Sequence, residues 1–146
     1  MTELTYVERA ARVQLMIFDV DGVLTDGSLH YGADGEALKT FNVYDGLGIS
    51  YLHQGGHDKL TPFKALLEKT GLTAEQVGFI GDDVVDLPII ARVGFAVAVP
   101  NGRPEVLARV HHVTTAQGGR GAVREVCELL LQAQGTHAAV MAQFMV

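Results

Sequence analysis

Two short apolar runs each end in a cluster of aspartates, and this pairing restricts the fold more than any other feature of the chain. Val13 to Phe18 reads Val-Gln-Leu-Met-Ile-Phe and runs into Asp19-Val20-Asp21-Gly22; Val77 to Ile80 runs into Gly81-Asp82-Asp83-Val84-Val85-Asp86. Runs this short and this apolar suit strands buried on both faces, as in parallel sheets, better than helices. Phe95 to Val99 is a third such run, and His111 to Thr114 is a candidate final short strand. Helical signals separate them, so the expected class is α/β with a doubly wound parallel sheet. Such sheets bind ligands at the carboxyl ends of their strands, where both acidic clusters fall.

The intervening segments carry their own punctuation. Ser28 to Phe41 holds two short segments around Gly32-Ala33-Asp34-Gly35, with Asp-Gly supplying a hairpin turn. Asp45 and Gly46 open a helix-like stretch that ends at Gly55-Gly56. Asp58 to Lys69 predicts a helix with Thr61-Pro62 in its first turn and Gly71 beyond its end. Thr73 and Gln76 have capping-box spacing, and Val84 to Arg92 predicts another helix. A short helix starts at Arg103-Pro104, and Val123, Val126, Cys127, Leu130 and Leu131 give an amphipathic helix near the end. Asp26, Asp34 and Asp58 are expected to serve turns and caps, Cys127 to pack in the core, and His111-His112 to lie on a strand surface.

Residues 1–146 fit one domain able to bury a real core. Apolar residues at 48% against 19% charged exclude a disordered chain. A net charge of −6 excludes a general basic surface for nucleic acid or anionic membrane. The single cysteine allows no internal disulfide. Met1 to Arg12 carries Glu3, Glu8, Arg9 and Arg12 with no apolar core of a signal peptide, and no run is long enough to span a membrane. A cytoplasmic protein is expected.

Carboxylates converging at two strand ends repel one another unless a cation neutralises them. Hard oxygen ligands without His or Cys favour Mg²⁺ over zinc. A metal beside an aspartate nucleophile suits phosphoryl transfer, with attack on phosphorus to give an aspartyl-phosphate. A second carboxylate then protonates the leaving alkoxide and activates water. A lysine completes the positive charge around the phosphoryl oxygens, and Lys59 is the candidate.

Two other uses of aspartates are less suited. An EF-hand loop beginning at Asp19 wants an acid at its twelfth position, which is His30. A phosphoacceptor receiver domain places its paired acids first and its phosphoacceptor after a later strand, whereas here Asp-x-Asp-Gly comes first and a hairpin follows. An Asp-x-Asp-Gly by itself is often only a turn; the joint presence of Gly-Asp-Asp-x-x-Asp in the same context points to chemistry.

Four segments together, Phe18 to Gly27, Phe41 to Gly48, Gly81 to Asp86 and Gly118 to Val126, resemble the 3-deoxy-D-manno-octulosonate 8-phosphate phosphatase family of the haloacid dehalogenase-like superfamily. The resemblance runs from about Leu15 to Gly135. It implies a capless, Mg²⁺-dependent phosphatase acting on an eight-carbon sugar-acid phosphate in lipopolysaccharide biosynthesis. It also implies a homotetramer in which a neighbouring subunit helps close each site. Carried over by position, Asp19 would be nucleophile and metal ligand, and Asp21 general acid/base and, through its carbonyl, a second ligand. Asp82 would complete the ligand set, with Asp83 and Asp86 in support. Asn42, Asp45 and Gly46 would line the substrate mouth, Lys59 would bind phosphate, and Arg120 would reach a substrate on a neighbour.

Against that pattern one unit is expected to be missing. The family places a buried strand, a Thr/Ser-Gly-Arg triplet, a helix and a further short strand after the helix ending near Gly55-Gly56; here the chain runs directly into His57-Asp58-Lys59. Roughly thirty residues, one strand-helix increment, are lacking. The expected consequences are an impaired phosphatase or a non-catalytic oligomeric scaffold, an apolar edge on the Leu15–Phe18 strand, and a Lys59 displaced from the phosphate.

Overall fold

The computed structural model describes residues 3–33, 35–40, 42 and 58–145. Its centre is a parallel sheet of four strands, β1 (Leu15–Phe18), β4 (Val77–Gly81), β5 (Phe95–Ala98) and β6 (His112–Val113), in that spatial order. Two further strands, β2 (His30–Gly32) and β3 (Gly35–Leu38), pair antiparallel with each other. Asp34, the expected turn residue between them, lies outside the described residues, as do Asp45, Gly46 and the helix expected to end at Gly55-Gly56.

The near-continuous hydrophobicity of the central strands has the cause inferred from sequence: both faces are covered. Phe95, Val97 and Val99 point into one core with Ile80, Leu24 and Val126, joined by Met16 and Phe18 of β1. Ala96 and Ala98 point into the other with Val77, Phe79 and Ile90, joined by Leu15 and Ile17. Helices α1 (Tyr6–Ala11) and α5 (Ala122–Ala133) cover the first face. Helices α2 (Leu60–Thr70), α3 (Leu87–Ile90) and α4 (Pro104–Leu107) cover the second. Parallel register sets Leu15 to Phe18 beside Val77 to Ile80, so Asp19 and Gly81 leave the sheet at the same level.

β1 ends this sheet; among the described residues no strand pairs with its outer side. A groove of about 350 Å³ runs beside it, lined by Val13, Met16, Phe18, Cys127, Leu130 and Leu131. No helix among the described residues is long and apolar enough to cross a membrane.

Several local expectations hold in detail. Asp58 caps α2 by accepting from the amides of Leu60 and Thr61, and Gly71 ends it with φ of 69°. Thr73 and Gln76 form the capping box. Asp26 accepts from Ser28 N in a turn, and Cys127 packs against the core.

Others need correction. The helix expected over Val84 to Arg92 is a single tight turn, Val84–Asp86, followed by the one-turn α3. Asp86 is drawn inward to accept the amides of Asp82 and Asp83, which bends the entry to that helix. His111 and His112 are half-buried and engaged rather than a strand surface. His111 Nδ1 accepts from Ala96 N at 2.8 Å, and His112 stacks on Tyr6 with ring centroids 4.7 Å apart. Helices α1 and α6 (His137–Ala142) were not anticipated; the Thr5–Glu8 capping box was the legible signal for the first.

Candidate active site

Asp19 continues the parallel pairing of β1, its amide donating to Ile80 O at 3.0 Å. The chain then turns sharply, which Gly22 makes possible with φ of +83°. Thr25, 2% exposed, ties that turn together. Its hydroxyl accepts from the amides of Gly22 and Gly27 and donates to Val20 O. The second acidic strand end comes alongside because Gly22 has no side chain: a Cβ there would sit 2.0 Å from Asp82 Oδ2.

The result is a cluster in which Asp19, Asp82 and Asp86 each offer a carboxylate oxygen within 4.8 Å of the others. Lys59, one residue before α2, reaches into it. Its Nζ lies 2.8 Å from Asp19 Oδ1 and 2.6 Å from Asp86 Oδ1. Lys59, expected to be displaced from the phosphate, thus reaches the candidate nucleophile Asp19. Asp86 is fully buried and uses its second oxygen on the amides of Asp82 and Asp83.

The charges explain the protonation of the cluster. Burial pushes the Asp82 carboxyl up to about 7, reinforced by the neighbouring Asp19, Asp86 and Asp83. Burial and the Asp86 charge also raise Asp19, against the opposing pull of Lys59. For Lys59, burial works to lower the pKa, but hydrogen bonds to Asp19 and Asp86 outweigh it and the net direction is upward. Once all three are ionised, the carboxylates of the cluster outnumber the one ammonium that reaches it among the described residues by two. Hard oxygens, a deficit of two charges and a separation suited to a shared ion fit a small divalent cation.

Asp21 does not place its carboxylate in this cluster. Its side chain is 56% exposed and held by Lys39, whose Nζ lies 2.7 and 2.9 Å from the two carboxylate oxygens. Lys39 follows β3 and belongs to no motif legible in the sequence, so sequence reasoning missed it. Asp83 is exposed and caps the turn at Val84. Asn42 is half-buried, and Arg120 is exposed with its charge felt by Asp26.

A family model described as haloacid dehalogenase-like hydrolase matches residues 36–126. The 3-deoxy-D-manno-octulosonate 8-phosphate phosphatase of Yersinia pestis is 42% identical over 158 residues, spanning 88% of this chain and 84% of that protein. The chain belongs to that family. As a family member it is a phosphoric monoester hydrolase. The Moraxella catarrhalis family member, solved with magnesium, phosphate and the sugar acid, is 36% identical with a TM-score of 0.89, covering 95% of this chain and 97% of that one. The cobalt-bound Haemophilus influenzae family member is 38% identical with a TM-score of 0.84, covering 90% and 94%.

Proposed function

We propose that this chain is a Mg²⁺-dependent phosphatase that releases phosphate from 3-deoxy-D-manno-octulosonate 8-phosphate through an aspartyl-phosphate, and that it works below the rate of its Yersinia relative. The observation that carries the reading is the meeting of Asp19, Asp82, Asp86 and Lys59 at the ends of β1 and β4. Asp19 attacks phosphorus and Asp21 serves as general acid, then as general base for the hydrolytic water. Asp19, the Asp21 carbonyl and Asp82 hold the ion, with Asp86 supporting them. Bound Mg²⁺ supplies charge neutralisation for the phosphoryl oxygens. Lys59 turns from the carboxylates to the phosphate when substrate arrives. Asn42, Asp45 and Gly46 line the mouth, and Arg120 serves a neighbouring site in a homotetramer of single-domain chains.

What supports impairment is the extent of the relative that the alignment leaves unmatched. An alignment of 158 positions that takes in 88% of a 146-residue chain leaves about thirty positions of the Yersinia relative facing none here, the size of one strand-helix-strand increment. Among the described residues no strand lies on the outer side of β1, and the apolar groove beside it agrees with a lost neighbour. Loss of one donor to the transferring phosphoryl group costs about 3–4 kcal/mol of barrier.

The same gap favours a second reading, an oligomeric scaffold without catalysis. Phosphate release from the eight-carbon substrate, measured beside the Yersinia relative and beside Asp19→Asn, separates the two. Slow, Mg²⁺-dependent release abolished by Asp19→Asn supports the first reading. Release as fast as the relative's removes the impairment, and no release from an intact oligomer leaves the scaffold.

A further inference from the structure

Gly22 is the softest point of the site, since a glycine at φ of +83° has no side chain to hold the turn. It is pinned from both ends. Its amide, part of the same peptide plane as the Asp21 carbonyl, donates to Thr25 Oγ1 at 3.3 Å. Its carbonyl accepts from Asn101 Nδ2 at 3.1 Å, and Asn101 Oδ1 accepts from Gly118 N at 2.8 Å. A carboxamide is the side chain that sets a donor and an acceptor side by side; a carboxylate would turn a second acceptor on the carbonyl.

The surroundings are built for this contact. Gly118 lies so close that a Cβ there would sit 1.7 Å from Gly22 O, and Gly119 N donates to Val23 O at 2.9 Å. The loop that carries Asn101 also holds the second acidic segment, Arg103 N donating to Asp82 O at 2.7 Å. Residues 101–103 thus touch both strand ends that supply the cluster.

We propose that Asn101 is a positioning residue: by stapling Gly22 to the glycine-rich loop it fixes the Asp21 main chain at the distance from Asp82 that a shared divalent ion requires. The inference rests on the metal-phosphatase reading above and assigns the glycines at 118 and 119 a task within this chain. Asn101 is itself exposed, so replacing it leaves the core intact.

The experiment compares the full chain with Asn101→Ala and the near-isosteric Asn101→Leu. Mn²⁺ affinity is read by electron paramagnetic resonance, kcat and KM with p-nitrophenyl phosphate, and unfolding by circular dichroism. Both variants are expected to bind Mn²⁺ about tenfold more weakly, the scale for a residue that orients a metal ligand. Their kcat falls with KM little changed, while the unfolding midpoint stays near that of the parent. Unchanged Mn²⁺ affinity overturns the assignment. So does a loss of affinity matched by a comparable loss of stability, which would make Asn101 merely structural. A parent chain that binds Mn²⁺ but hydrolyses nothing overturns the phosphatase reading alone, and the affinity comparison still decides on Asn101. A parent that binds no Mn²⁺ overturns both.

Discussion

Lys39 holds both carboxylate oxygens of Asp21, at 2.7 and 2.9 Å, on a side chain that is otherwise largely open to solvent. The pair fixes the orientation of the proposed acid/base group instead of leaving it to rotate freely. Lys39→Met should lower kcat for an alkyl phosphate by about tenfold, with Lys39→Arg restoring most of it; losses on this scale are typical where a general acid/base is disturbed. Because the pair is exposed, stability should change by less than about 1 kcal/mol. Steady-state kinetics that show equal activity in all three proteins would refute the coupling.

Asp19→Asn should separate activity from stability. The nucleophile is lost, so turnover should fall at least about a thousandfold. One of three converging negative charges is also lost, while Lys59 keeps its contact with Asp86. Without metal at pH 8, the variant should therefore resist urea better than the parent. A variant less stable than the parent under those conditions would show that the cluster is not strained by like charge.

The raised Asp82 carboxyl gives a pH dependence of defined sign. Its folded value of about 7 lies above the ordinary 3.8. Between these limits the folded chain keeps a proton that the unfolded chain has released, so this contribution to stability is complete below the lower limit. It falls as pH rises and is gone above about 7. Urea midpoints in EDTA should decline over this window. Saturating Mg²⁺, which takes the proton's place, should flatten the decline, and Mg²⁺ affinity should rise from about pH 6 to 8. Equal slopes with and without metal would contradict it.

Gly22→Ala tests the close approach of the two acidic segments. Its Cβ would fall 2.0 Å from Asp82 Oδ2, and its φ of +83° is costly for any L side chain. The backbone cost alone is about 1–2 kcal/mol. Weak or absent Mn²⁺ binding in a chain that still folds is the expected outcome. Wild-type affinity would mean that Asp82 does not share the ion with Asp19.

Much of this was readable from residues in order. A strand buried on both faces must be apolar throughout, so Val77 to Ile80 and Phe95 to Val99 declared themselves, and aspartates at their ends declared the site. Caps are local as well, which is why Asp58, Gly71 and the Thr73–Gln76 box could be placed. The one-turn helix after Asp86 could not, because it depends on a carboxylate turning inward to amides of another turn.

The sequence alone determined which chemistry was available: hard oxygen ligands at strand ends, a candidate nucleophile and a lysine to accompany them. Tertiary structure decided which groups meet. Asp86 joins the ion-sized cluster while the Asp21 carboxylate is drawn away to Lys39, and Asn101 reaches Gly22 across 79 residues of sequence. Such contacts carry no local pattern. They arise because parallel strands bring their carboxyl ends, and the loops that follow, to one edge of the sheet, whatever the distance along the chain.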